Sequence, residues 1–139
     1  MYQVKRIWRY FSATKNLGLT LGGAKTLRNL ELWLHCDASW ADDTVTRRTT
    51  AGHIIYVSAS PVKWQSKQQN IVTLSTTEAE FINMSAAGRD KIWIRKLLTD
   101  MKIPIPKIPM IGTDSLNALH AAESPQENMS TRHVDVRYK

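Results

Sequence analysis

Alternating apolar and polar side chains divide the first half of the chain into three predicted strands. Within residues 31–39, two kinds of position alternate along the run LWLHCD: Leu32, Leu34 and Cys36 on one face, and Trp33, His35 and Asp37 on the other. This pattern is typical of a strand with one buried face. Two further strands are predicted at 51–60 and at 61–68, the latter with Pro61 at its edge. Because the connections are short, we expect the three strands to form an antiparallel meander.

The second half of the chain changes to a helical period. Apolar residues recur every three to four positions between 75 and 101, which predicts one long helix that Gly88 bends or breaks. Its buried face is expected to contain Ala79, Ile82, Ala86, Trp93 and Leu97. A strand at 108–114 and a helix at 116–122 follow, and a short basic helix is predicted at 2–12. This order predicts an α/β domain with a mixed sheet.

Composition narrows the class of protein. The chain has 139 residues, of which 42% are hydrophobic and 22% charged, which is typical of one globular domain. No apolar run approaches a bilayer span and no signal peptide is recognisable, so we expect an intracellular location, in the cytoplasm or the nucleus. The single cysteine, Cys36, excludes an internal disulfide and is expected in the core.

The net charge of +7 is unevenly distributed. Residues 1–30 contain six basic side chains and no acidic one. Such an excess favours polyanionic partners such as nucleic acid. A solvated basic surface would leave the same pattern, so charge alone leaves both interpretations open.

Within two of the predicted strands, the apolar runs 32–37 and 108–114 finish on an aspartate, Asp37 before Ala38 and Asp114 before Ser115. If these strands are parallel neighbours, both carboxylates lie at the sheet edge where α/β proteins bind ligands. Like charges repel unless a cation lies between them, and hard ions such as Mg²⁺ or Mn²⁺ take oxygen ligands. Aspartate at a strand end is also common in turns and caps, so the pair by itself leaves a structural role open.

The long helix offers two further acids near its start. The run STTE fits a capping box, with Ser75 as the N-cap and Glu78 at position N3. Glu80 follows two residues later and lies about 200° further around the helix, so it faces elsewhere. We therefore assign Ser75 and Glu78 to the structural cap and Glu80 to the site.

Motifs in a fixed order relate the chain to a known family. They are DASWA, RRTT before a glycine, WQSKQQ and LSTTEAE, followed by TDS and TRHVDVRY. The sequence from about residue 4 to residue 139 closely resembles the ribonuclease H domain of copia-type retrotransposon Pol polyproteins. The resemblance implies that residues 1–30 are a basic connection after a reverse transcriptase and that residues 31–139 form the ribonuclease H-like domain.

The resemblance also implies a fold, a reaction and a site. The fold would be an α/β, ribonuclease H-like mixed sheet, three antiparallel strands and then a parallel one, with flanking helices. Asp37, Glu80 and Asp114 would be the catalytic acids, and they would bind Mg²⁺ or Mn²⁺ for two-metal hydrolysis of the RNA strand in RNA–DNA hybrids. The partners would be the hybrid and the reverse transcriptase domain of the same polyprotein, with no membrane.

Further side chains are expected at the nucleic acid, since a hybrid is recognised through its shape and backbone. They are Ser39, Arg47, Arg48, Lys63, Lys67 and Ser115. Each basic residue is equally an ordinary surface charge, and capping explains the two serines about as well. Trp40 and Trp64 are expected in the core, with the hybrid groove as the alternative.

The sequence departs from the family pattern at its C-terminal end. The family continues into a last strand and a helix with a fourth acid in an Ala-Asp-x-x-Thr-Lys motif, which does not occur here. Asp135 belongs to the preceding family segment and would replace that acid only if the chain end folds back. We therefore expect an incomplete domain, without the last strand and helix, and impaired cleavage. The alternative is a non-catalytic fragment of a transposable element that binds nucleic acid or protein.

Overall fold

The computed structural model describes residues 2–22, 30–105 and 110–123. Its elements are α1 (Tyr2–Thr14), β1 (Leu32–Ser39), β2 (Thr50–Val57), β3 (Ser60–Gln68), α2 (Thr76–Asp100), β4 (Met110–Gly112) and α3 (Leu116–Glu123). They agree with the predicted elements in type and order. Asp135 and the first two residues of the strand predicted at 108–114 lie outside the described residues.

One four-stranded sheet organises the described domain, with the strand order β3-β2-β1-β4. β1 and β2 pair antiparallel, as do β2 and β3, whereas β1 and β4 pair parallel. His35 of β1 lies opposite Gly112 of β4, and a Cβ atom at Gly112 would come within 2.8 Å of the His35 ring. A larger residue at position 112 would therefore force the His35 ring to move, and glycine avoids this contact. The predicted fold class, a mixed sheet with flanking helices, is confirmed.

The hydrophobic core lies between the sheet and α2. Leu34 of β1 and Ile55 of β2 are fully buried, and they pack in one cluster with residues of α2 and α3. The buried members of this cluster are Leu32, Leu34, Cys36, Ile55, Met84, Ala87, Ile94 and Ala118. Their packing fixes the long helix across β1, the strand that carries Asp37.

The buried face that we predicted for α2 is wrong in its second half. Trp93 and Leu97 are 57% and 42% exposed. Ala87 and Ile94 are buried and face the core instead. Apolar residues occur on more than one side of α2, so their periodicity does not select a single face. The helix also continues through Gly88 without a break.

The two tryptophans expected in the core are both exposed. The Trp40 ring is 42% exposed, and its Nε1 donates a hydrogen bond to the carbonyl of Thr73 at 3.1 Å. Trp64 is 60% exposed and lies opposite Ile54 on the strand β3. Because residues alternate along β2 and His53 contacts α2, Ile54 and Trp64 lie on the face away from that helix. The core expectation was therefore wrong for both side chains.

The first helix contributes nothing to the core. Apolar residues follow one side of α1, as predicted, but none of its side chains is buried. Among the described residues, no helix combines the length and the apolar character that crossing a membrane requires.

Candidate metal centre

Three carboxylates meet at the edge of the sheet where β1 and β4 end. Asp37 lies in β1, Asp114 follows β4 by two residues, and Glu80 lies in the first turns of α2. Each offers one carboxylate oxygen, and these atoms lie within 4.8 Å of one another. Asp37 and Asp114 are exposed whereas Glu80 is buried, so the cluster is open on one side only.

The N-terminal cap of α2 determines which glutamate reaches this cluster. The hydroxyl of Ser75 accepts a hydrogen bond from the backbone N–H of Glu78 at 3.1 Å. The carboxylate of Glu78 in turn accepts from the backbone N–H of Leu74 at 2.7 Å. This reciprocal arrangement holds Glu78 at the helix start. The structure therefore places Glu78 in the cap and Glu80 in the cluster.

The two carboxylate oxygens of Glu80 differ in their hydrogen bonding. Its Oε1 accepts a hydrogen bond from the backbone N–H of Ala38 at 2.9 Å, whereas the buried Oε2 has no partner among the described residues. Burial raises the pKa of Glu80 and the charges of Asp37 and Asp114 raise it further, against the opposing hydrogen bond from Ala38. A buried carboxylate oxygen without a partner is costly.

These observations fit a hard divalent cation. A cation at the cluster would supply the partner that Glu80 Oε2 lacks and would offset the repulsion among the three acids. Carboxylate oxygens are the ligands that Mg²⁺ and Mn²⁺ prefer. Asp37, Glu80 and Asp114 thus form an acidic triad that can hold a metal ion.

Cys36 lies beside the triad but is not suited to join it. The side chain is buried on the core side of β1, with its sulfur 3.8 Å from the carbonyl oxygen of Gly112. Burial raises the pKa of the Cys36 thiol to about 11, and the charges of Glu80, Asp37 and Asp114 contribute in the same direction. The sulfur therefore remains a protonated thiol at neutral pH.

A structured loop follows β1 and carries two of the predicted nucleic-acid residues. Asp43 organises it by accepting hydrogen bonds from the Thr46 hydroxyl at 2.7 Å, the Val45 N–H at 2.9 Å and the Gln68 side chain at 2.8 Å. These bonds, with that from Thr46 the strongest, hold the pKa of Asp43 well below its usual range. The same loop presents Arg47 and Arg48 to solvent.

Ser39 and Lys67 are exposed at the same end of the sheet. Ser39 is the last residue of β1. Ala51 of β2 pairs with Ala38 of β1 and with Lys67 of β3. Lys67 is therefore two strands away from β1, the strand that carries Asp37 of the triad. The structure therefore brings these residues and the loop arginines to the end of the sheet that carries the acids.

Two other predicted nucleic-acid residues have local contacts within the protein. The Lys63 ammonium forms an ion pair with Asp90 at 2.8 Å and lies 5.6 Å from the centre of the Trp93 ring. The hydroxyl of Ser115 accepts a hydrogen bond from the backbone N–H of Ala118 at 3.2 Å, in the first turn of α3. For Ser115 this is the capping role that the sequence left open.

Sequence reasoning missed one residue that contacts the site. Asn83 is buried in α2, and its side-chain amide donates to the carbonyl of Asp37 at 2.7 Å and to that of Gly52 at 3.0 Å. The available signal was its position three residues after Glu80, which places both side chains on one face of the helix.

Replacing Glu80 with glutamine is expected to stabilise the metal-free protein at neutral pH. Because the fold raises the pKa of Glu80, the stability that this group contributes is complete below its unfolded pKa and is lost as pH rises through the folded pKa. Glu80→Gln removes that loss. The variant should therefore have a larger unfolding free energy than the unchanged chain, measured with urea. This difference should shrink as pH falls towards the ordinary glutamate pKa of about 4.3. A gain independent of pH would contradict this assignment.

Glu78→Ala serves as the matched control for that experiment. It removes the acceptor for the Leu74 N–H at the start of α2, so the unfolding free energy should fall by about 0.5–2 kcal/mol. Mn²⁺ affinity, measured by titration calorimetry, should be unchanged in Glu78→Ala and lost in Glu80→Gln. The reverse result would show that Glu78 is the ligand.

Comparison with known proteins reveals relatives of two kinds. The chain is 33% identical over 135 residues, 97% of its length, to the retrovirus-related Pol polyprotein from transposon RE1 of Arabidopsis thaliana. The Pol polyprotein from transposon TNT 1-94 of Nicotiana tabacum matches with the same identity and coverage. The chain spans only 9% and 10% of these two relatives, respectively.

A relative of another description matches a shorter part of the chain. The secreted RxLR effector protein 161 of Plasmopara viticola is 36% identical over 91 residues, which are 66% of this chain and 62% of that protein. No family model matches the sequence, and no solved structure gives a significant match.

Proposed function

Because the chain is homologous over 97% of its length to one segment of retrotransposon Pol polyproteins, we propose that it is the ribonuclease H segment of such a polyprotein. It hydrolyses the RNA strand of RNA–DNA hybrids with Mg²⁺, or with Mn²⁺ in its place. The observation that carries this proposal is the convergence of Asp37, Glu80 and Asp114 within 4.8 Å at the ends of two parallel strands.

The residues of the chain have defined tasks in this reaction. Asp37, Glu80 and Asp114 supply carboxylate oxygens, which the fold keeps close together despite their mutual repulsion. The Ala38 N–H orients Glu80 so that one of its oxygens remains available as a ligand. Mg²⁺, when bound, activates a water molecule and stabilises the leaving oxygen of an in-line displacement. The exposure of Asp37 and Asp114 gives a phosphate backbone access to the cluster.

We also propose which surface binds the hybrid. Ser39, Arg47, Arg48 and Lys67 are exposed at the sheet end that carries the acids, and they contact the phosphates and sugars. Lys63 and Ser115 are left out of this surface because both have local partners. Residues 1–30 form the connection to the reverse transcriptase domain of the same polyprotein. The absence of buried side chains in α1 supports a helix that lies outside the hydrophobic core of the ribonuclease H-like domain.

Binding to a hybrid should weaken steeply as salt increases. Each phosphate contact releases counterions, so removing one contact should reduce the slope of log affinity against log salt by about 1. We expect this change for Lys67→Ala and a larger one for the double variant Arg47→Ala, Arg48→Ala. Fluorescence anisotropy of a labelled RNA–DNA hybrid at several salt concentrations measures the slope.

The control for the salt experiment is Lys96→Ala. Lys96 is exposed in the second half of α2, far from the acidic triad, so its loss should leave the slope unchanged. A salt-independent affinity in the unchanged protein would contradict the proposed surface.

The alternative function is binding without cleavage. The match to an effector protein over 66% of the chain favours it, because that relative is not described as a Pol polyprotein. Release of short RNA from a labelled hybrid distinguishes the two. Mg²⁺-dependent cleavage supports the nuclease, whereas hybrid binding with no cleavage in Mg²⁺ or Mn²⁺ supports the binding fragment.

A further inference from the structure

Glu80 and Asn83 hydrogen-bond to the two polar atoms of a single peptide group, the one that joins Asp37 to Ala38. Glu80 Oε1 accepts from the N–H of Ala38 at 2.9 Å, and Asn83 Nδ2 donates to the carbonyl oxygen of Asp37 at 2.7 Å. The Asn83 nitrogen also donates at 3.0 Å to the carbonyl of Gly52, which lies opposite Asp37 in β2. One buried amide thus connects α2 to both strands at the position of Asp37.

This arrangement constrains the backbone from which the Asp37 carboxylate projects. A peptide group is planar, so holding its N–H and its carbonyl oxygen fixes the orientation of the whole group. Glu80 and Asn83 are three residues apart and are therefore neighbours on the surface of α2. The helix that supplies Glu80 to the acidic triad also determines, through Asn83, how β1 presents Asp37.

We propose that Asn83 is a positioning residue for the metal centre. It orients the Asp37–Ala38 peptide and so keeps the carboxylates of Asp37 and Glu80 at the separation that a shared cation needs. It also preserves the Ala38–Glu80 hydrogen bond, which leaves Glu80 Oε2 available. The inference deepens the proposed function and rests on it for the identity of the cation. Asn83 acts only through the peptide group and is not itself a ligand.

The test uses Asn83→Leu and Asn83→Ala. Leucine branches at Cγ as asparagine does and favours helix, but it is larger and lacks the N–H donors, so Asn83→Ala tests the loss of the donors without added volume. Mn²⁺ affinity, measured from the electron paramagnetic resonance signal of the free ion, should fall about 10–100-fold in both variants, the range for residues that orient a ligand. In the metal-free protein, the Ala38 amide should exchange its hydrogen faster than in the unchanged chain, with the Leu34 amide as an internal reference.

Ile94→Ala is the control for an unspecific loss of stability. Ile94 belongs to the core, and it lies about 16 Å further along α2 than Asn83 at 1.5 Å per residue. Circular dichroism and thermal unfolding should show folded protein for all the variants. Ile94→Ala should melt at a lower temperature and bind Mn²⁺ as the unchanged chain does.

The outcomes distinguish a failure of the positioning role of Asn83 from a failure of the proposed function. Weaker Mn²⁺ binding and faster Ala38 exchange in folded Asn83→Leu support the positioning role. Unchanged Mn²⁺ affinity in that variant overturns it and leaves the proposed function standing. If the unchanged chain binds no Mn²⁺, the proposed function fails, and unchanged Ala38 exchange would then overturn the positioning role as well. Failure of both variants to fold would also overturn it, since Asn83 would then be a general structural residue.

Discussion

Asp37→Asn is expected to lower Mg²⁺-dependent cleavage of an RNA–DNA hybrid by more than about 100-fold, since losing a residue that merely orients a ligand already costs about 10–100-fold. The substitution preserves the shape of the side chain but removes one of the negative charges of the acidic triad. Release of short labelled RNA measures the rate, and Mn²⁺ titration measures the accompanying loss of affinity.

Asp42→Asn provides the matched control, because Asp42 is an exposed acid in the loop after β1 and outside the triad. Its side-chain oxygen accepts from the backbone N–H of Thr50, and the carbonyl oxygen of asparagine preserves this bond. Cleavage by Asp42→Asn should equal that of the unchanged chain. Undiminished cleavage by Asp37→Asn would place the reaction elsewhere on the molecule.

Leu34→Ala is expected to reduce the free energy of unfolding by about 2–5 kcal/mol, the range for truncating a buried leucine. Leu34 is fully buried at the centre of β1, against α2, so alanine leaves a cavity that rigid neighbours fill only in part. Such a loss is a large share of the roughly 5–15 kcal/mol that stabilises a typical domain. Urea unfolding, followed by circular dichroism, measures the difference.

Ile111→Ala is the comparison for Leu34→Ala. Ile111 lies directly opposite Leu34 in β4, but it is 40% exposed, so its truncation should cost clearly less. Equal losses for the two variants would mean that the core does not lie between β1 and α2 as described.

The acidic triad was predictable because each part of it depends on local sequence and one assumption about topology. Asp37 and Asp114 each follow an apolar run, and parallel pairing of those runs places the two aspartates together. The run from Ser75 to Glu78 defines the start of α2 locally, through hydrogen bonds within four residues. Once that start is set, helix geometry separates Glu80 from Glu78.

The features that were not predictable depend on partners far away in the sequence. The Lys63–Asp90 ion pair spans β3 and α2, and nothing near either residue in the sequence indicates it. The exposure of Trp93 depends on which side of α2 meets the sheet, and buried polar residues such as Asn83 occupy part of that side. Asn83 looks like an ordinary polar position of a helix until the carbonyls of β1 and β2 are in place.

The environment of Cys36 has a consequence for oxidative chemistry. Peroxide and disulfide exchange attack through the thiolate, and a thiol with a pKa of about 11 is almost entirely protonated at neutral pH. The residue is also buried, at 6% exposure. We therefore expect the cysteine of the central strand to react slowly with alkylating agents and peroxide in the folded state.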